Sequence, residues 1–168
     1  MLTLLVVAAL HSRVTVVDAQ HTRLSRIVQK TIVDELTVRN VNVGEGGDYV
    51  AQIVDVSDAS GSGRESQITR DMEHAVAVTE IVGGAAAEVR LYDNKNALIA
   101  TYRLSGSGST SAAVGARKYD IVTSFIIAPL FRRSRSAEAA RAIGHDIAAQ
   151  IAAAITTQPQ PPAAGGGQ

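Results

Sequence analysis

Between Ala137 and Ile155 an isoleucine returns every fourth position, at 143, 147, 151 and 155, with Ala140, Ala148 and Ala154 beside them. That spacing keeps the side chains on one face of an α-helix. A helix of this kind draws most of its stability from covering its apolar face. The small alanines permit close approach to the covering surface, and Gly144 among them marks a tight contact. The rest of the chain must therefore provide an apolar surface of matching size, and the upstream strand patterns provide a sheet.

Arg13–Val17 is short and β-branched and reads as a first strand. Asp18 or Thr22 can cap the helix that follows, expected over about Thr22–Thr37. Its stripe is Leu24, Ile27, Val28, Thr31, Ile32 and Leu36, with Arg23, Arg26, Lys30 and Asp34 on the solvated side. Val38–Val43 leads towards a second strand, through the glycine turn Gly44–Gly47. Asp48–Val56 is expected to be a central strand, with Val50, Val54 and Val56 on one face and Tyr49, Ala51 and Ile53 on the other. The Ser- and Gly-rich Ser57–Asp71 reads as a long mobile connection.

A meander is expected next. Ala75–Val82 and Ala85–Tyr92 flank Gly83-Gly84, a two-residue hairpin signal. Asp93–Asn96 is a second turn, leading to Ala97–Leu104, then a Gly/Ser loop over Ser105–Gly115. Alternation in these strands implies one covered and one wetter face. The order β-α-β-β-β-β-α gives an α+β fold, a two-layer sandwich with a mostly antiparallel sheet of about five strands. Two helices, each with one apolar face, cover one side of it. Residues 12–155 form the domain, and Thr156–Gln168 reads as a disordered Pro/Gly/Gln tail. The apolar Leu2–Leu10 reads equally as the hydrophobic part of a truncated signal peptide or as a buried strand. It has the small-x-small pattern Val7-Ala8-Ala9 but no basic residues before it.

Composition narrows the function classes. With 46% hydrophobic residues the chain can build a core. Sixteen basic residues balance sixteen acidic ones, aromatics are 4% and Trp is absent, so neither a nucleic-acid-binding surface nor base-stacking platforms are indicated. With no Cys, disulfides, thiolate catalysis and Cys-ligated metals are excluded. His11, His21, His74 and His145 lack metal-ligand spacing. Ser105–Thr110 is not followed by the Gly-Lys-Ser/Thr of a phosphate loop, and Gly44–Gly47 does not meet Gly-x-Gly-x-x-Gly. No cofactor is expected. Asp55, Asp58 and Glu80 are the carboxylates that would have to converge for the least favoured reading, an enzyme.

The connection Ser105–Arg135 is longer than a strand-to-helix link requires. Ile121–Phe131 (IVTSFIIAPLF) is apolar on most faces and contains Pro129, which would end or kink a helix. It reads equally as core or as an interface. Arg132, Arg133 and Arg135 follow it, reading as a solvated loop ahead of a helix capped by Ser134 or Ser136, or as a contact with anionic lipid or an acidic partner. The candidate interface is Ile121, Phe125, Ile126, Ile127, Leu130, Phe131, Arg132, Arg133 and Arg135. The run is too short for a membrane hairpin, whose strands need about 9–11 residues each, so no pore is expected.

Three motifs carry a resemblance. Leu36–Val43 gives Leu-x-x-Arg-x-Val-x-Val at the end of the first helix. Gly46–Val50 gives Gly-Gly-Asp-Tyr-Val at the start of a strand. Val89–Asp93 gives Val-Arg-Leu-Tyr-Asp ahead of a turn, a strand and an Ala-rich helix. The arrangement resembles bacterial envelope domains: the curli-secretion lipoprotein, the penicillin-binding-protein activator lipoproteins and the amino-terminal domain of the Tol translocation β-propeller protein. It departs from them in lacking the lipobox Cys. The resemblance implies a non-enzymatic module in the periplasm or at the periplasmic face of the outer membrane. Its partners would be other envelope proteins, in a homo- or hetero-oligomer, with peripheral membrane contact. The alternative is a ring-forming structural subunit of a viral or secretion-type particle.

Overall fold

The computed structural model describes residues 12–59, 65–71, 74–115 and 120–157, with side chains described at 12–59, 83–107 and 132–157. The elements are β1 (Arg13–Asp18), α1 (Arg23–Val38), β2 (Asn42–Val43), β3 (Tyr49–Asp58), β4 (Glu65–Asp71), β5 (His74–Asp93), β6 (Leu98–Gly115) and α2 (Asp120–Thr157). They form an α+β fold with one mostly antiparallel sheet and two helices. Five longer strands follow the expected order, and the two-residue β2 is added to them.

β1 lies parallel to both β2 and β3. β5 pairs antiparallel with β6 from Val76↔Gly115 to Tyr92↔Leu98, which occupies one of its edges. β3 (Tyr49↔Asp93 to Asp58↔Ala85) and β4 (Glu65↔Thr79 to Asp71↔His74) must then share its other edge, end to end. β5 is thus the spine of the sheet.

Several expectations are corrected here. Gly83-Gly84 is not a turn: β5 runs straight through it, opposite Gly108 and Ser107 of β6. The glycines are needed for close approach. A Cβ on Gly83 would lie 2.5 Å from the Arg135 Cβ and 2.8 Å from the Arg132 carbonyl oxygen, so α2 presses directly on the strand. Ser105–Gly115 is not a loop but the second half of β6. Of the connection expected at Ser57–Asp71, Ser57 and Asp58 complete β3 and Glu65–Asp71 form β4. Val56 does not share a face with Val50 and Val54. The β3–β5 register shifts between Ile53 and Asp55, and this bulge returns Val56 to the buried side with Tyr49, Ala51 and Ile53. Thr156 and Thr157 belong to α2, not to the tail. Residues 1–11 and 158–168 lie outside the described residues.

α1 starts and stops for local reasons. Thr22 is its N-cap, its Oγ1 accepting from the Ser25 N–H at 3.0 Å. At the other end Asn40 takes φ +58°, while the Asn40 and Val41 N–H groups donate to Thr37 and Leu36 carbonyls at 3.0 and 2.9 Å. This is a Schellman stop with Asn in the left-handed position and buried Val41 beyond it. The Asp93–Asn96 turn forms as expected: Asp93 Oδ1 accepts from Lys95 and Ala97 N–H groups, and Asn96 has φ +62°.

The core lies between the helices and one sheet face. Val28, Ile32 and Leu36 of α1 and Ile143, Ile147, Ile151 and Ile155 of α2 bury with Ile53, Val89 and Leu91 of the sheet. Each large side chain contributes about 1.5–3 kcal/mol on burial. Gly144 is the close helix crossing that the sequence implies, since a Cβ there would meet Thr31 Cβ at 2.9 Å and the Val28 carbonyl at 3.2 Å.

Candidate functional site

The segment singled out from sequence forms the first part of α2, not a separate link. The helix continues through Pro129 and the arginines to Thr157, so neither Ser134 nor Ser136 is a cap. The side chains of Ile121, Phe125, Ile126, Ile127, Leu130 and Phe131 lie outside the described residues. Arg132 and Arg133 are exposed, whereas Arg135 is half-buried and donates to Glu138 Oε2 at 2.7 Å. Ser136 is buried, and its Oγ donates to Asp58 Oδ1 at 3.1 Å, tying α2 to the end of β3. The arginine cluster therefore sits where the helix meets β5 at Gly83. Only Arg132 and Arg133 present charge to solvent without a described ion pair there.

Polar groups gather instead on the sheet face opposite the helices. Glu88 of β5 stands across from Arg103 of β6 and from Asp55 of β3. Its two oxygens divide between Arg90 and Arg103, at 2.7 and 2.8 Å. Hydrogen bonds from Arg103 and then Arg90 hold the Glu88 carboxyl below the usual carboxylate range, against a smaller opposing effect of burial. Arg90 is held more firmly protonated by Glu88 and then Tyr92. Asp55 Oδ1 accepts from Gln20 Nε2 at 2.8 Å, and Gln20 Oε1 accepts from the Val56 N–H, bridging the β1–α1 connection to β3. Asp55, Ala86, Glu88, Arg103 and Ser105 line an open depression of about 270 Å³. Its mixed charges suit a polar, zwitterionic or peptide-like surface. Sequence reasoning noted the wetter face but not this cluster. The alternation of Glu88 and Arg90 against Thr101 and Arg103 was the available signal.

A second polar cluster is structural. Asp18 is buried; its Oδ1 accepts from the Gln20 and His21 N–H groups and its Oδ2 from Ser25 Oγ at 2.7 Å. Burial opposes ionisation of this carboxyl, but the bonds from Ser25, His21 and Gln20 outweigh it and hold the group below its ordinary range. His21 sits in the left-handed region at φ +55°, held there by this bond.

The carboxylates considered for catalysis are not brought together. Asp55 and Glu80 occupy ladder positions eight residues apart along β5, about 27 Å at the usual rise. His145 contacts Glu35 across the helix pair, Nε2 to Oε2 at 3.4 Å, and Glu35 also pairs with Arg39. Among the described residues no three His, Asp or Glu side chains are grouped to hold a metal, and no helix is long and apolar enough to cross a membrane.

No family model and no curated protein matches the chain in sequence. Among solved structures it is similar to a minor lipoprotein from Acinetobacter baumannii, with TM-score 0.49 and 16% identity over 87% of this chain and 91% of that one. It is also similar to uncharacterized lipoprotein B from Nitrosomonas europaea, with TM-score 0.43 and 17% identity over 86% of each chain.

Proposed function

We propose that this protein is a non-enzymatic interaction module of the bacterial envelope, working at the periplasmic side as part of a larger assembly. The observation that carries the binding role is the one-sided cover of the sheet. Both helices pack on one face, and the opposite face keeps Glu88, Arg90, Arg103 and Asp55 around an open depression. Val17 on the same side is 39% exposed. A face of mixed charge and partly exposed valines fits a protein surface better than a small apolar ligand. The envelope setting is supported by the three motifs at Leu36–Val43, Gly46–Val50 and Val89–Asp93. They converge at one end of the sheet, where Val14 pairs with both Val43 and Tyr49, and Tyr49 pairs with Asp93. Their residues serve as helix stop, close-approach turn and strand, which is what a shared fold signature requires.

The test is co-isolation from the native envelope fraction, comparing the wild type with an Arg90→Glu/Arg103→Glu variant. The reading expects the wild type in that fraction with a defined partner, and loss of the partner in a variant that still folds. A cytosolic protein, or a partner retained equally by the variant, contradicts it.

A further inference from the structure

Three strands, β2, β4 and β6, each have an edge that no described strand pairs. Such an edge is a template for another strand, and natural sheets protect it with shortness, charge, proline or a bulge. β2 is protected by being two residues long. β4 is seven residues, carries Glu65, Arg70 and Asp71, and its register shifts between Glu65 and Ile68. β6 has none of these devices over its second half. It is eighteen residues long, and from Leu104 to Gly115 it contains no charged residue and no proline. Its register with β5 is unbroken from Val76↔Gly115 to Leu91↔Ala100, so no bulge turns this edge away. The stretch spans about 40 Å at the usual rise per residue.

We propose that β6 is a dimerisation edge: two copies of this chain pair antiparallel along residues 104–115 about a two-fold axis and join their sheets into one. An antiparallel edge is its own complement, because each strand offers the same alternation of donors and acceptors. In self-pairing, every residue of the stretch meets an uncharged residue, so no register within it sets like charges opposite each other. Ser, Gly, Thr and Ala make up ten of its twelve positions, none of them large enough to need room beside a partner strand. A charged partner strand would find no complementary charge along it. The second copy is therefore the occupant that the edge chemistry fits. The proposal stands apart from the envelope reading: a monomer leaves that reading intact, and a cytosolic dimer leaves this one intact.

Sedimentation velocity of the full chain across the micromolar range is the test, with a dimer expected. The Ser107→Lys/Ser109→Lys variant places charge on the edge and is expected to weaken dimerisation by at least about tenfold while retaining the wild-type circular dichroism. Because the chain has no cysteine, single Ser107→Cys, Ser109→Cys and Ser111→Cys variants supply an independent reading. Oxidation should link copies at the position nearest the axis and fall off on either side. A monomeric wild type overturns the proposal, whatever else then occupies the edge. So does an assembly larger than a dimer, a dimer unaffected by both lysines in a folded variant, or cross-linking that is equal at all three positions.

Discussion

Tyr102 shows how single residues carry the physics of this fold. It is 9% exposed, and its hydroxyl has no hydrogen-bond partner among the described residues. Burial also pushes its ionisation above the ordinary phenol range. A buried hydroxyl without a partner loses its hydration uncompensated, at about 1–3 kcal/mol. Tyr102→Phe is therefore expected to leave stability unchanged or raise it by about 1 kcal/mol in chemical denaturation. A loss larger than that would mean the hydroxyl is bonded in solution. Asp18 is the opposite case, a buried carboxylate with three donors. Its folded pKa lies below its unfolded value of about 3.9, so its contribution is present above that value and is lost as pH falls through the folded pKa. Acid titration of stability should show this loss below about pH 4, and Asp18→Asn should flatten that limb of the curve. Thr22 and the Asp93 turn were readable from sequence because capping and turn chemistry are local. The Tyr102 environment was not, because it depends on which strands and helices surround β6.

At the scale of elements, glycine was the least legible signal. Gly83-Gly84 and Gly46-Gly47 look alike in sequence, yet only Gly46 has positive φ, at +68°. Gly83 lies in an extended strand with α2 against it. A hairpin signal and a close-approach signal use the same residue, and only tertiary packing separates them. Gly83→Ala would force its new methyl into the Arg132–Ser136 backbone, and an overpacking cost of about 1–3 kcal/mol is expected in thermal or urea unfolding. Wild-type stability in that variant would contradict the close approach. Ser105–Gly115 was missed for a related reason. Serine and glycine have low strand propensity, and the strand is formed by its register with β5. The helices were legible because their period-four stripes coincide with the buried residues Val28, Ile32, Leu36, Ile143, Ile147, Ile151 and Ile155. The candidate interface was legible only in part. Its arginines are placed by a helix that the proline at 129 made hard to foresee.

At the scale of the molecule, the open face and the open edge both follow from one arrangement. β5 runs unbroken through its glycines, β3 and β4 line up on one side of it, and β6 closes the other. Two helices then cover a single face, leaving the Glu88–Arg90–Arg103 cluster on the other and the far edge of β6 without a described strand partner. The most direct measurement is nuclear Overhauser contact mapping of the backbone in solution. The arrangement predicts cross-strand contacts of Gly83 with Gly108 and of Gly84 with Ser107, continuous with those from Val76↔Gly115 to Tyr92↔Leu98. Contacts between Val82 and Ala85 across a two-residue turn, with residues 75–82 folded back along 85–92, would contradict it.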